Sequence, residues 1–147
     1  MMEIFKYISK AATTWFAGFF PHFEIYLAVP VGFSVGLNWF DAFLWASLGN
    51  WMVIPLIDFF YDWLMKFKFM KKFSEKSLKG KWRKRMEKYG AIFILILTPV
   101  TGVWVIGIIA KALKFNRVKL WLYSGISVSV TGLIIAILAN MGIQLFN

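Results

Sequence analysis

The sequence contains no cysteine, a single histidine, only 4 prolines and only 7 acidic residues in 147. Without cysteine there is no disulfide framework, no thiolate metal site and no thiol nucleophile. One His22, with no cluster of His, Asp or Glu at ligand spacing elsewhere, does not make a metal site, so no metal and no cofactor are expected. Glycine-rich phosphate loops, hydrolase serine motifs and paired catalytic acids are also missing, which argues against an enzyme.

What fills the chain instead is apolar: 60% of residues are hydrophobic and 20% aromatic, against 16% charged. A water-soluble domain of this size has no interior large enough for 16 Phe, 8 Trp, 5 Tyr and the long Ile/Leu/Val runs, so the bilayer is the expected solvent. The net charge of +10 does not point to nucleic acid. Of the 17 Lys and Arg, 11 lie between Lys66 and Lys88, next to apolar segments, as in a cytoplasmic membrane loop attracted to anionic lipid. Phe67, Phe69, Phe73 and Trp82 in that stretch suit a membrane surface. The N-terminus shows no secretory cleavage pattern and is expected to stay attached.

Charges delimit apolar runs at 11–23, 25–40, 42–57, 89–110 and 120–147. The run at 42–57 extends through Asp58 and Asp62 toward Met65 and makes one span, and 120–147 makes another. The run at 25–40 is broken by Pro30, Gly32 and Gly36, and 89–110 by Pro99 and Gly102, where a proline without an N–H meets a glycine free to turn. If 89–110 crossed fully, Lys111, Lys114, Arg117 and Lys119 would lie outside, against the positive-inside rule. A re-entrant hairpin turning at Pro99–Gly102 keeps 66–88 and 111–119 on the cytoplasmic side of the plasma membrane.

Pro30-Val31-Gly32 resembles Pro99-Val100-Thr101-Gly102, and Leu44-Trp45 with Gly49 resembles Leu120-Trp121 with Gly125 at a spacing of 76. The expected architecture is all-α and membrane-integral: an inverted repeat of a re-entrant helical hairpin plus a transmembrane helix, with amphipathic interfacial helices at the N-terminus and in the basic stretch. The first repeat is 1–65, the basic loop 66–88 and the second repeat 89–147, forming one membrane domain.

Glu24, beside a broken apolar segment, is a candidate proton or cation site; its alternative is a solvated place among headgroups. Asp41 either approaches Glu24 to form a proton-carrying pair or, as favoured here, caps the helix that follows. Asp58 and Asp62, with Lys66 one turn on, read as an ion-paired ladder, or Asp58 couples an ion from a cavity. Thr101 and Trp104 at the second break are candidates to contact an ion or a polar headgroup, or to serve only local packing. Gly49, Asn50, Pro55, Gly125 and Gly132 are read as helix-packing positions, the last two on a face shared with Ser124, Ser127, Ser129 and Thr131.

Glu24 with Pro30-Val31-Gly32 and Gly36, Ala46-Ser47-Leu48-Gly49-Asn50 with Pro55, Lys88-Tyr89-Gly90, and Pro99-Val100-Thr101-Gly102-Val103-Trp104 together resemble the putative small multidrug export protein family. The resemblance runs from about Phe20 to Ile143. That family is distantly similar to the DedA (VTT-domain) membrane proteins, which implies paired re-entrant hairpins and lipid or proton-coupled transport. Tyr26 stands where the family pattern carries an arginine and Val100 where it carries a glycine, and the arginine-rich motif of the DedA second half is missing.

The functional expectation is a small transporter of a small amphiphile or lipid headgroup, proton-coupled through an intramembrane carboxylate. Its alternatives are an uncoupled lipid scramblase or flippase and a non-transporting membrane assembly factor. A homodimer is expected, because so short a chain does not wall off a pathway alone.

Overall fold

A computed structural model describes residues 2–146; the side chains of residues 77, 78, 82, 143, 145 and 146, Trp82 of the basic stretch among them, lie outside the described set. Among the described residues the protein is helical without strands: α1 (Met2–Phe19), α2 (Glu24–Ser34), α3 (Trp39–Leu64), α4 (Lys68–Lys79), α5 (Lys81–Thr101), α6 (Val103–Ala112) and α7 (Arg117–Phe146). At 1.5 Å per residue the 26 residues of α3 reach about 39 Å and the 30 of α7 about 45 Å, enough for a hydrocarbon core of about 30 Å. These two helices are also apolar enough to cross. Leu122, Ile126, Val130, Ile134, Leu138 and Met141 leave α7 openly hydrophobic on its outside, a surface that belongs in lipid. The chain is a membrane protein.

The basic stretch is helical, as expected for its second half, and its first half is helix too: α4 followed by the start of α5. Within α5, Gly90 takes φ 55°, ψ −128° and breaks the rod, leaving residues 91–101 as an arm of about 16 Å. A second arm, α6, is about 15 Å long and packs against it.

The chain forms two compact units. The first, Met1–Met52 with Val128–Asn147, is closely packed through small residues. A Cβ on Gly18 would run into the Ala46 carbonyl and one on Gly49 into the Trp15 backbone, so α1 and α3 approach nearly backbone to backbone. Gly32 faces Ala42 and Thr14 in the same way. Gly132 on α7 sits over the Ser47 hydroxyl, which is buried without a hydrogen-bond partner among the described residues. Ala11, Thr14, Ala17 and Gly18 bury the second half of α1, whereas most of residues 2–10 stand exposed.

The second unit, Val53–Ser127, is filled by branched side chains instead: Ile54, Ile57, Ile94, Ile106, Ile109 and Val103 are fully buried. Gly107 is the cup that receives the ends of Ile57 and Ile54.

Candidate functional site at the two helix breaks

The break after α5 is built by Pro99 and Gly102. Pro99 has no N–H for the Leu95 carbonyl four residues back, and the Ser127 hydroxyl donates to that oxygen instead at 2.7 Å. Gly102 then takes φ 88°, ψ 153°, a region essentially reserved for glycine, while its N–H still reaches the Thr98 carbonyl at 3.0 Å. The helix stops and α6 begins at once. The Thr101 hydroxyl donates back to Leu97 at 2.9 Å and Thr98 to Ile94 at 2.6 Å, so each hydroxyl hydrogen is used within its own turn. Trp104 is half-buried in the first turn of α6.

The counterpart of this break lies 78 positions earlier, at Pro21–Glu24. Glu24 takes φ 46° where Gly102 takes 88°, and its N–H donates to Phe20 at 3.2 Å as Gly102 donates to Thr98. The Gly18 carbonyl, left behind where α1 ends, accepts from Asn50 Nδ2 at 2.9 Å, and Asn50 is buried. Phe20, His22 and Phe23 cluster their rings around the turn, with Phe20 6.0 Å from His22 and 5.7 Å from Phe23. The sequence-based placement of the first turn at Pro30, Gly32 and Gly36 is corrected: Pro30 and Gly32 lie inside α2, which tolerates the proline as apolar membrane helices do. Gly36 belongs to a different turn, and the half-buried Glu24 is at the break itself.

That other turn also occurs twice, 78 apart. Leu37 N–H donates to Gly32 and Phe115 N–H to Ala110, at 3.0 and 2.9 Å, each closing a Schellman motif. The residue at positive φ is Gly36 (81°) in the first and Lys114 (54°) in the second. Asn38 and Asn116 follow as N-caps, accepting the N–H of Asp41 and Lys119 at 2.8 and 3.0 Å. The Asp41 carboxylate in turn accepts from Asn38 Nδ2 at 2.8 Å. Asp41 is therefore not the cap of a helix starting at Ala42: it is the third residue of α3, bound to the capping Asn38, and the whole of α2, about 16 Å long, lies along the chain between it and Glu24. These bonds correspond at a spacing of 78, not at the 76 of the matching residue letters, and α3 from Trp39 and α7 from Arg117 start 78 positions apart as well.

Asp58 departs from both of its sequence-based readings. Its side chain is 3% exposed and its oxygens hold Lys111 and Arg117 as ion pairs and accept from Trp121 Nε1 at 3.2 Å. Arg117 also lies over the rings of Phe59 (4.5 Å) and Trp121 (5.1 Å). Held by two cations and one indole N–H, the Asp58 carboxylate is placed as their counter-ion. Asp62 and Lys66 are exposed and form no ion pair among the described residues. The partners of Asp58 were invisible in the sequence because they come 53 and 59 positions later, beyond any helical spacing.

The packing positions hold Gly49 against α1 and Gly132 against Ser47, as above; Pro55 lies inside α3, and Gly125 is half-buried on α7. Among the described residues no group of three His, Cys, Asp or Glu stands close enough to hold a metal.

A family model described as "Putative small multi-drug export protein" matches residues 24–134, from the Glu24 break through most of α7. Neither the curated proteins nor the solved structures gave a match.

Proposed function

The chain belongs to the putative small multi-drug export protein family, and from that premise we propose that it transports a small amphiphile or lipid headgroup, with protons acting on the cycle through Glu24. In this reading α3 and α7 span the bilayer. The arm 91–101 and α6, each about half the hydrocarbon thickness, form a re-entrant hairpin, and α1 with α2 form its inverted counterpart. The positive-inside rule puts 66–88 and 111–119 in the cytoplasm, and a second copy of the chain closes the pathway.

Glu24 carries the proposal. It holds a left-handed backbone that costs a non-glycine residue about 1–2 kcal/mol, at a position whose counterpart is Gly102, and it does so half-buried between apolar helices. A carboxylate kept at such a place is kept for its charge or its proton.

The test uses the full chain in vesicles with a fluorescent amphiphile and an imposed pH gradient. Wild type is expected to move the dye faster when the gradient drives it, and Glu24→Gln to lose that dependence. Glu24→Gly, which relaxes the backbone, is expected to lose it too while melting no lower than wild type. Glu24→Gln that responds to the gradient like wild type removes the coupling role. Wild type that only dissipates lipid asymmetry, gradient or not, makes the protein a scramblase.

A further inference from the structure

Lys114 presents the converse of the Glu24 problem. Its turn needs a residue at positive φ, the equivalent turn uses Gly36, and yet a long cationic side chain occupies it at φ 54°. Its ammonium makes no ion pair and no hydrogen bond among the described residues. It lines a cavity of about 650 Å³, within the range of small-molecule sites, between the turn that follows α6 and the first half of α5. Across that cavity stands a second cation, Arg83, whose side chain among the described residues makes one hydrogen bond, to Glu87 at 2.8 Å, using one of five N–H donors. Met86, Leu113 and Phe115 supply an apolar wall. The break at Gly90, which also borders the cavity, turns α5 aside there.

Two cations against one carboxylate, a wall of hydrocarbon and a strained lysine kept where glycine fits describe a receptor for an anion with an apolar portion. We propose that this cavity binds a phosphate-bearing anion, with Lys114 and Arg83 on the phosphate and Met86, Leu113 and Phe115 against the remainder. The phosphate can come from an anionic phospholipid headgroup or from a free phosphate. The site does not depend on the transport reading.

Native mass spectrometry of the full chain in detergent, offered equal amounts of phosphatidylglycerol and phosphatidylcholine, tests it. Wild type is expected to retain phosphatidylglycerol preferentially. Lys114→Gly is expected to reduce that retention about tenfold, the equivalent of one charged hydrogen bond, while melting no lower than wild type because its backbone is relieved. Lys114→Arg is expected to keep it, and Arg83→Gln to reduce it. Lys72→Gln, on the exposed face of α4, is the control for diffuse attraction and is expected to change little. Calorimetry with inorganic phosphate separates the sources: binding as tight as that of the lipid assigns the cavity to free phosphate, and binding at least about tenfold weaker assigns it to a headgroup. Unchanged lipid retention in Lys114→Gly, an equal loss in Lys72→Gln, or no binding of either probe overturns the proposal. A Lys114→Gly protein that melts lower than wild type overturns the strain argument on which it stands.

Discussion

The breaks at Pro21–Glu24 and Pro99–Gly102 share a positive φ and a bond back to the fourth residue before, and the turns at Gly36 and Lys114 share a positive φ and a Schellman bond, yet in each pair glycine appears only once. Glycine shows what the backbone asks for. The charged residue at the equivalent place shows where something other than backbone geometry decides, and the two copies place that exception at opposite ends of the short helix: at the break before α2 in one, after α6 in the other. The units differ in filling as well. In the first, small residues bring helix backbones together and one amide, Asn50, satisfies the abandoned Gly18 carbonyl. In the second, isoleucines fill the space, Ser127 serves the Leu95 carbonyl, and a charge cluster on Asp58 ties α3, α6 and α7.

The sharpest way to break this contrast is Asp58→Asn. It leaves Lys111 and Arg117 facing each other without a counter-ion, and should cost about 2–3 kcal/mol, less than for a fully buried pair because these cations are 35% and 52% exposed. A melting temperature in detergent equal to that of wild type would show that water screens the cluster entirely. Next come the two carbonyl donors. Asn50→Leu removes a fully buried amide that holds α1 against α3 and should cost about 2 kcal/mol, whereas Ser127→Ala should cost about 1 kcal/mol. Equal losses in thermal unfolding would mean that the two donors are interchangeable. The smallest effect is expected from Gly36→Lys, which copies the second turn into the first: about 1 kcal/mol from the left-handed backbone, measured in a Lys10→Ala background because the Lys10 ammonium, which donates to the Gly36 carbonyl, lies 3.2 Å from the new Cβ. No loss there would mean that lysine is at ease in this turn and that Lys114 carries no strain.

Much of this was legible in the residues. The spans, the amphipathic start and the break at Pro99–Gly102 followed from hydropathy, charge placement and proline chemistry. The spacing of 78 did not, because what recurs there is a set of backbone hydrogen bonds, and Glu24 with Gly102, or Gly36 with Lys114, share a positive φ and no chemistry. Pro21 with Pro99 and Asn38 with Asn116 were the usable signals at the right spacing; the more conspicuous Pro30 drew the first turn to the wrong place. The Asp58 cluster depends on three helices meeting, and local spacing carries no trace of it.

The first unit is closed by both ends of the chain, whereas the second is one unbroken stretch from Val53 to Ser127. During synthesis the later stretch therefore has all its parts as soon as it leaves the ribosome, while the earlier one must wait for residues 128 onward to be made. Gly132 reaches Ser47 only at that last moment, so the half that is translated first is the half that is finished last, and a chain cut short before α7 is complete leaves Ser47 and Ile25 without the glycine that covers them.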